Sequence, residues 1–146
     1  MFQNILIPTD GSEQSQRAIR TGIDLAKVHG ARVTGIHVIP DYHLLIAYEG
    51  AFDPVTEERI EEEAKSRAET YLNFIRQAAQ AAGIECTTVC ETSDHPYDAI
   101  LRTCDANTCD LILMTSHGRK GLAAVLLGSE TRKVLTHAKV PVLVVR

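Results

Sequence analysis

Gly118 and the pair Gly128-Ser129 stand between an apolar run, Leu111 to Met114, and a helical pattern that begins at Ser129. A glycine in such a turn lets backbone approach a ligand with no Cβ in the way. A helix N-terminus offers unpaired N–H groups and the positive end of the helix dipole, both of which attract phosphate. The Ser129 hydroxyl adds a further donor. From Ser116 to Lys139 there are five basic residues (Arg119, Lys120, Arg132, Lys133 and Lys139) against one acid, Glu130. In a chain of net charge −4, a local basic patch points to an anionic ligand. The same residues also read as a plain turn followed by an ordinary N-cap at Ser129. His117, inside the loop, either touches phosphate or is simply solvated.

Two other stretches could serve the same ligand. Pro8-Thr9-Asp10-Gly11-Ser12 follows the first strand-like run, and Asp10 could accept hydrogen bonds from a ribose. An Asx-turn leading into a helix explains those residues equally. Val38 ends the second strand-like run and could line a base pocket or belong to the core. No G-K-[ST] or G-x-G-x-x-G occurs, so the usual P-loop and dinucleotide fingerprints are missing. No G-x-S-x-G elbow, H-x-x-x-H pair or defined acid–base pair is visible, so neither nucleophilic catalysis nor a metal site is expected. Cys86 and Cys90 share one strand face, and Cys104 and Cys109 flank the next loop. Neither pair has C-x-x-C spacing, and all four read as reduced thiols.

The elements that must carry these residues follow from periodicity. Strands are expected at Phe2–Ile7, Arg32–Ile39, Ile84–Cys90, Leu111–Met114 and Val140–Val145. One helix carries a stripe through Ile19, Gly22, Ile23 and Ala26 and stops at Gly30. A long helix capped by Asp53-Pro54 carries Ile60, Ala64, Ala68, Leu72, Ile75, Ala79 and Ala82 and stops at Gly83. Two shorter helices are expected at Asp94–Cys104 and Ser129–Ala138. Strict βαβαβαβαβ alternation means one doubly wound α/β domain, a parallel sheet with helices on both faces. Such sheets bind ligands at the carboxyl ends of the strands, where the strand order reverses. The stretch from Pro40 to Asp53 reads as a long and unusually apolar loop.

The 146 residues suit one domain, and the acidic balance argues against nucleic acid or an anionic membrane as partner. No apolar run is long enough to cross a bilayer and no leader is apparent, so the cytoplasm is the expected compartment.

Taken together, "ILIPTDGSE", "IHVI", "MTSHGRKGLAAVLLGSETRKVL" and "KVPVLVV" resemble the universal stress protein (UspA) family over nearly the whole chain. Its ATP-binding members share glycine, two residues, glycine, nine residues, glycine, then Ser or Thr. Gly118 matches the second glycine, Arg119 to Leu127 the nine-residue span, and Gly128-Ser129 the last pair; Thr115 stands at the first glycine. The resemblance implies a five-stranded Rossmann-like sheet of order 3-2-1-4-5. It also implies that ATP (or ADP or AMP) is bound with Mg²⁺. Asp10 would hold the ribose hydroxyls with Pro8 and Thr9 beside it, and Val38 would contact adenine. Thr115 would lie near the ribose, largely through its backbone, and Ser116 and His117 would belong to the nucleotide-binding set. Gly118, Arg119, Gly128, Ser129, Glu130 and Thr131 would surround the phosphates, mostly through backbone N–H groups. A homodimer through Val140–Val145 is implied as well. The expected role is a cytoplasmic, nucleotide-responsive stress-response module that acts on an unidentified protein partner through the Pro40–Asp53 loop. The alternatives are a slow ATPase or nucleotidyl transferase, with Glu130 or His117 as base, and a nucleotide-free adaptor dimer.

Overall fold

A computed structural model of the chain describes residues 1–41, 54–117 and 127–146. The elements run β1 (Asn4–Pro8), α1 (Glu13–His29), β2 (Arg32–Ile39), α2 (Pro54–Ala81), β3 (Cys86–Thr92), α3 (Pro96–Ala106), β4 (Leu111–Thr115), α4 (Ser129–His137) and β5 (Val142–Val145). All strand pairs are parallel, and the order is β3-β2-β1-β4-β5. The apolar loop after β2, the Asp53 cap, and Gly118, Arg119 and Lys120 lie outside the described residues.

The expected helical stripes are the buried ones. Ile19, Ile23 and Ala26 of α1 and Leu72, Ile75 and Ala79 of α2 meet Ile5, Ile7, Leu111 and Leu113 on one face of the sheet. On the other face, Ile100 and Cys104 of α3 and Val134 of α4 meet Leu6, Ile36, Ile112 and Met114. Odd and even positions of β1 thus feed opposite cores, as the two-residue period of a strand requires. Four successive residues are buried in each of the three inner strands β1, β2 and β4, as cover on both faces requires. β3 and β5 alternate in burial because they are the sheet's edges.

Strand limits shift where a helix cap claims the residue. β3 begins at Cys86, not Ile84, because Ile84 N–H donates to the Ala79 carbonyl at 2.9 Å and Gly83 N–H to Gln80 at 3.0 Å. That pair of bonds is a Schellman cap. α1 ends in the same way, Ala31 bonding back to Ala26 and Gly30 to Lys27. α3 repeats it a third time, Cys109 to Cys104 and Thr108 to Asp105, with Thr108 at φ 50° where the other two have glycine.

Candidate functional site

β1 and β4 are neighbours, and the chain leaves them in opposite directions, β1 toward α1 and β4 toward α4. The crevice at their carboxyl ends is a cavity of about 390 Å³. Its lining includes Pro8, Thr9, Asp10, Val38, Thr115, Gly128, Ser129, Glu130 and Thr131, so nine of the thirteen expected site residues converge there. Ser116 and His117 do not line it, and Gly118 and Arg119 are outside the described residues.

On the β1 side a set of short bonds holds the turn. Thr9 N–H donates to Ile36 at 2.9 Å, and the buried Thr9 hydroxyl pairs with Ser15 Oγ at 3.1 Å and accepts Gly11 N–H at 3.2 Å. Asp10 does make the Asx-turn, accepting Ser12 N–H at 3.0 Å, and it also faces the cavity. The two readings of Asp10 are therefore compatible. Ser12 caps α1 through its hydroxyl. His37 Nδ1 lies 2.8 Å from the Thr9 carbonyl, which can only accept, so the proton sits on Nδ1. The His37 ring meets Tyr71 of α2 edge-on at 5.1 Å.

On the β4 side, Gly128 N–H donates to Ser116 at 2.7 Å and Thr131 Oγ1 donates to Thr115 at 2.9 Å. The Ser116 carbonyl therefore holds the glycine in place. The N-cap of α4 is Gly128, with no capping side chain, and Ser129 is the first helical residue. This corrects the reading of Ser129 as an ordinary N-cap. The first intrahelical bond is Arg132 N–H to Gly128. The amides of Ser129, Glu130 and Thr131 precede it and have no intrahelical acceptor. All three residues line the cavity.

Of the expected basic patch, the described members Arg132, Lys133 and Lys139 do not line it. Among the described lining residues there is no Lys or Arg. Lys133 pairs with Glu130 at 2.9 Å, and Lys139 with Asp105 at 3.3 Å on the surface. What positive potential the described part of the site has comes from the start of α4. Each Glu130 oxygen has a partner as well: Oε2 accepts Tyr97 N–H at 2.8 Å while Oε1 accepts from Lys133 at 2.9 Å. One carboxylate of α4 thus caps the N-terminus of α3. His117 Nδ1 lies 3.0 Å from Ser116 Oγ, turned toward its own neighbour.

Sequence reasoning missed the apolar wall of Ile36, Pro96, Ile100 and Met114, and the polar Ser15 and His37. Ile36 had a signal, since it lies two residues before Val38 on the same face of β2. Pro96 and Ile100 had none, because only the packing of α3 brings them over β2.

A model of the universal stress protein family matches residues 1–146. The "universal stress protein in QAH/OAS sulfhydrylase 3′ region" of Thermus aquaticus is 32% identical, with both chains covered in full. The solved structure of MJ0577, a universal stress protein of Methanocaldococcus jannaschii, superposes with a TM-score of 0.79 at 29% identity, covering 99% of this chain and 96% of that one. UspA from Lactobacillus plantarum gives 0.80 at 25% identity, covering 99% and 97%. The same fold occurs in a universal stress protein in complex with cAMP (TM-score 0.71, 23% identity, 99% and 97% covered). It occurs too in an Arabidopsis thaliana family member with AMP bound (0.70, 16%, 98% and 90%).

Proposed function

Because the chain belongs to the universal stress protein family, we propose that it binds an adenine nucleotide, ATP foremost, between β1 and β4, and acts as a cytoplasmic nucleotide-responsive regulatory module. The observation that carries this reading is the row of three amides, on Ser129, Glu130 and Thr131, that open α4 against the cavity. Opposite them stand a carboxylate, Asp10, and an apolar wall of Ile36, Val38, Ile100 and Met114. Phosphate, ribose and base need those three chemistries in that order. The volume lies within the usual range for small-molecule sites, about 300–1,000 Å³. Relatives of the same fold hold cAMP and AMP, which supports an adenylate as the ligand.

Mg²⁺ fits as a companion of the triphosphate and not as a resident ion. No group of three His, Cys, Asp or Glu that could hold a metal occurs among the described residues. Magnesium in such sites is commonly held by phosphate oxygens and water with at most one or two protein carboxylates. The engagement of both Glu130 oxygens argues against Glu130 as a base for hydrolysis, and so favours a binding role over an enzymatic one.

The test is to release with acid whatever co-purifies with the protein, identify it by mass spectrometry, and titrate the stripped protein with ATP, ADP and AMP by calorimetry. An adenine nucleotide is expected in the extract, with ATP binding most tightly. An empty extract and no heat with any of the three would favour the adaptor reading instead.

β5 lies at the edge of the sheet and leaves Leu143 41% exposed. A bare apolar edge invites pairing, and two-fold pairing with a second copy would close it. This supports a homodimer through the last strand. Leu143→Asp places two like charges across that contact. Light scattering is expected to report a dimer for the parent chain and a monomer for the variant at micromolar concentration. A monomeric parent would refute the dimer.

A further inference from the structure

The C-terminal cap of α3 differs from its two counterparts in a way that nucleotide binding does not use. A Schellman cap brings the side chains of its first and last residues into contact, since the last N–H bonds to the first carbonyl. At the ends of α1 and α2 those pairs are Ala26 with Ala31 and Ala79 with Ile84, plain apolar contacts. At the end of α3 they are Cys104 and Cys109, whose backbones are joined at 2.9 Å. Both are buried, at 2% and 5% exposure, and both are free thiols. Cys104 S–H donates to the Cys109 carbonyl at 3.5 Å, so the two residues share one small buried space under the cap. A shallow depression of about 270 Å³, lined by Asn4, Arg32, Thr34, Asn107 and Thr108 among others, opens beside this cap. Arg32 and Thr108, the chain neighbour of Cys109, are among its walls, so the depression adjoins the pair.

We propose that Cys104 and Cys109 form an oxidation site, closing under peroxide into a reversible disulfide that clamps the C-terminal cap of α3. The Cys109 thiolate attacks one oxygen of hydrogen peroxide, giving a sulfenic acid and hydroxide. The Cys104 thiol then displaces the sulfenic oxygen as water and forms the S–S bond. Two thiols and one peroxide become one disulfide and two waters, the thiols losing two electrons and the peroxide gaining them. The order follows from the environment of each sulfur. The neighbouring Cys104 thiol, then Thr34 and the Arg32 guanidinium, hold the Cys109 thiol below its ordinary range against the opposing effect of burial. The neighbouring Cys109, with burial and the Asp105 and Asp110 carboxylates, pushes the Cys104 thiol up. Cys109 is thus the nucleophile and Cys104 the resolving thiol. Cys86 and Cys90 lie apart on the edge strand β3, and Cys90 is exposed.

The experiment treats the full chain carrying Cys86→Ser and Cys90→Ser with hydrogen peroxide, then cleaves on the N-terminal side of Asp105, which separates the two cysteines. The expected result is a loss of two hydrogens, about 2 Da, and two fragments that travel together until a dithiol reductant releases them. The unsubstituted chain, exposed in parallel, shows by Cys90 oxidation that the peroxide dose was sufficient. The proposal is overturned if Cys104 and Cys109 still alkylate as free thiols at a dose that oxidises Cys90. It is equally overturned if they gain oxygen separately without cross-linking.

Discussion

Gly128→Val is expected to weaken ATP binding by on the order of 100-fold while leaving the fold in place. Gly128 has φ −56° and ψ 151°, a conformation open to any residue, so the substitution carries no torsional penalty of its own. The obstacle is space. A Cβ there would stand 3.2 Å from the Ser116 carbonyl oxygen, 3.6 Å from His117 Cα and 3.7 Å from Thr131 Oγ1. The nearest of these is backbone, and it is the oxygen that holds Gly128 N–H at 2.7 Å. To admit a branched side chain, the first turn of α4 must draw back from the end of β4. That turn carries the three amides proposed to bind phosphate, so a shift of a few tenths of an ångström misaligns them all. Ser129→Ala makes the useful contrast. It deletes a hydroxyl and leaves the amides, and is expected to cost only about 3- to 10-fold, the worth of one ordinary hydrogen bond. Calorimetry with both variants, beside a thermal melt of each, checks the pair. Full affinity in Gly128→Val would mean that the start of α4 does not hold the phosphates.

That Gly128 to Thr131 would open a helix at the end of β4 was legible in the sequence, because a glycine followed by a helical pattern after a strand marks such a start. The central strands and both long helical stripes were legible too, since burial on two faces or one leaves a clear period in β1, β4, α1 and α2. The ends were harder. Ile84 looks like strand because it is β-branched, yet the Schellman bond to Ala79 claims it for the helix. Thr108 gave no sign of ending α3, because threonine rarely enters the left-handed region that its φ of 50° occupies. The described part of the basic patch turns elsewhere for a different reason. Spacing along a chain cannot say which way a lysine points, and Lys133 and Lys139 turn to Glu130 and Asp105. Glu130 likewise read as a phosphate neighbour or a base. Its carboxylate is the cap of another helix 33 residues earlier in the chain, a long-range bond with no local signature.

Tyr71 is the residue about which the sequence was most silent, and it yields the larger stability effect. It sits midway along α2 and has no place in the apolar stripe. Its ring fills the space beside Gly11, where a Cβ would come within 2.2 to 2.4 Å of three ring atoms. Gly11 also has φ 77°, which side-chain-bearing residues seldom adopt. Gly11→Ala therefore meets two separate penalties. The left-handed backbone costs about 1–2 kcal/mol. Displacing the packed ring costs about 1–3 kcal/mol more. A double-mutant cycle with Tyr71→Ala separates them. In the Tyr71→Ala background the alanine has room, so only the torsional part remains and the pair is less destabilised than the sum of the singles. Urea unfolding of the four proteins is expected to give a coupling of about 1–3 kcal/mol with that sign. Because Gly11 adjoins Asp10, the single variant is also expected to lose ATP affinity, and removing the Tyr71 ring should restore part of it. Additivity within about 0.5 kcal/mol would instead show that the turn yields to the new methyl group and the ring is no obstacle.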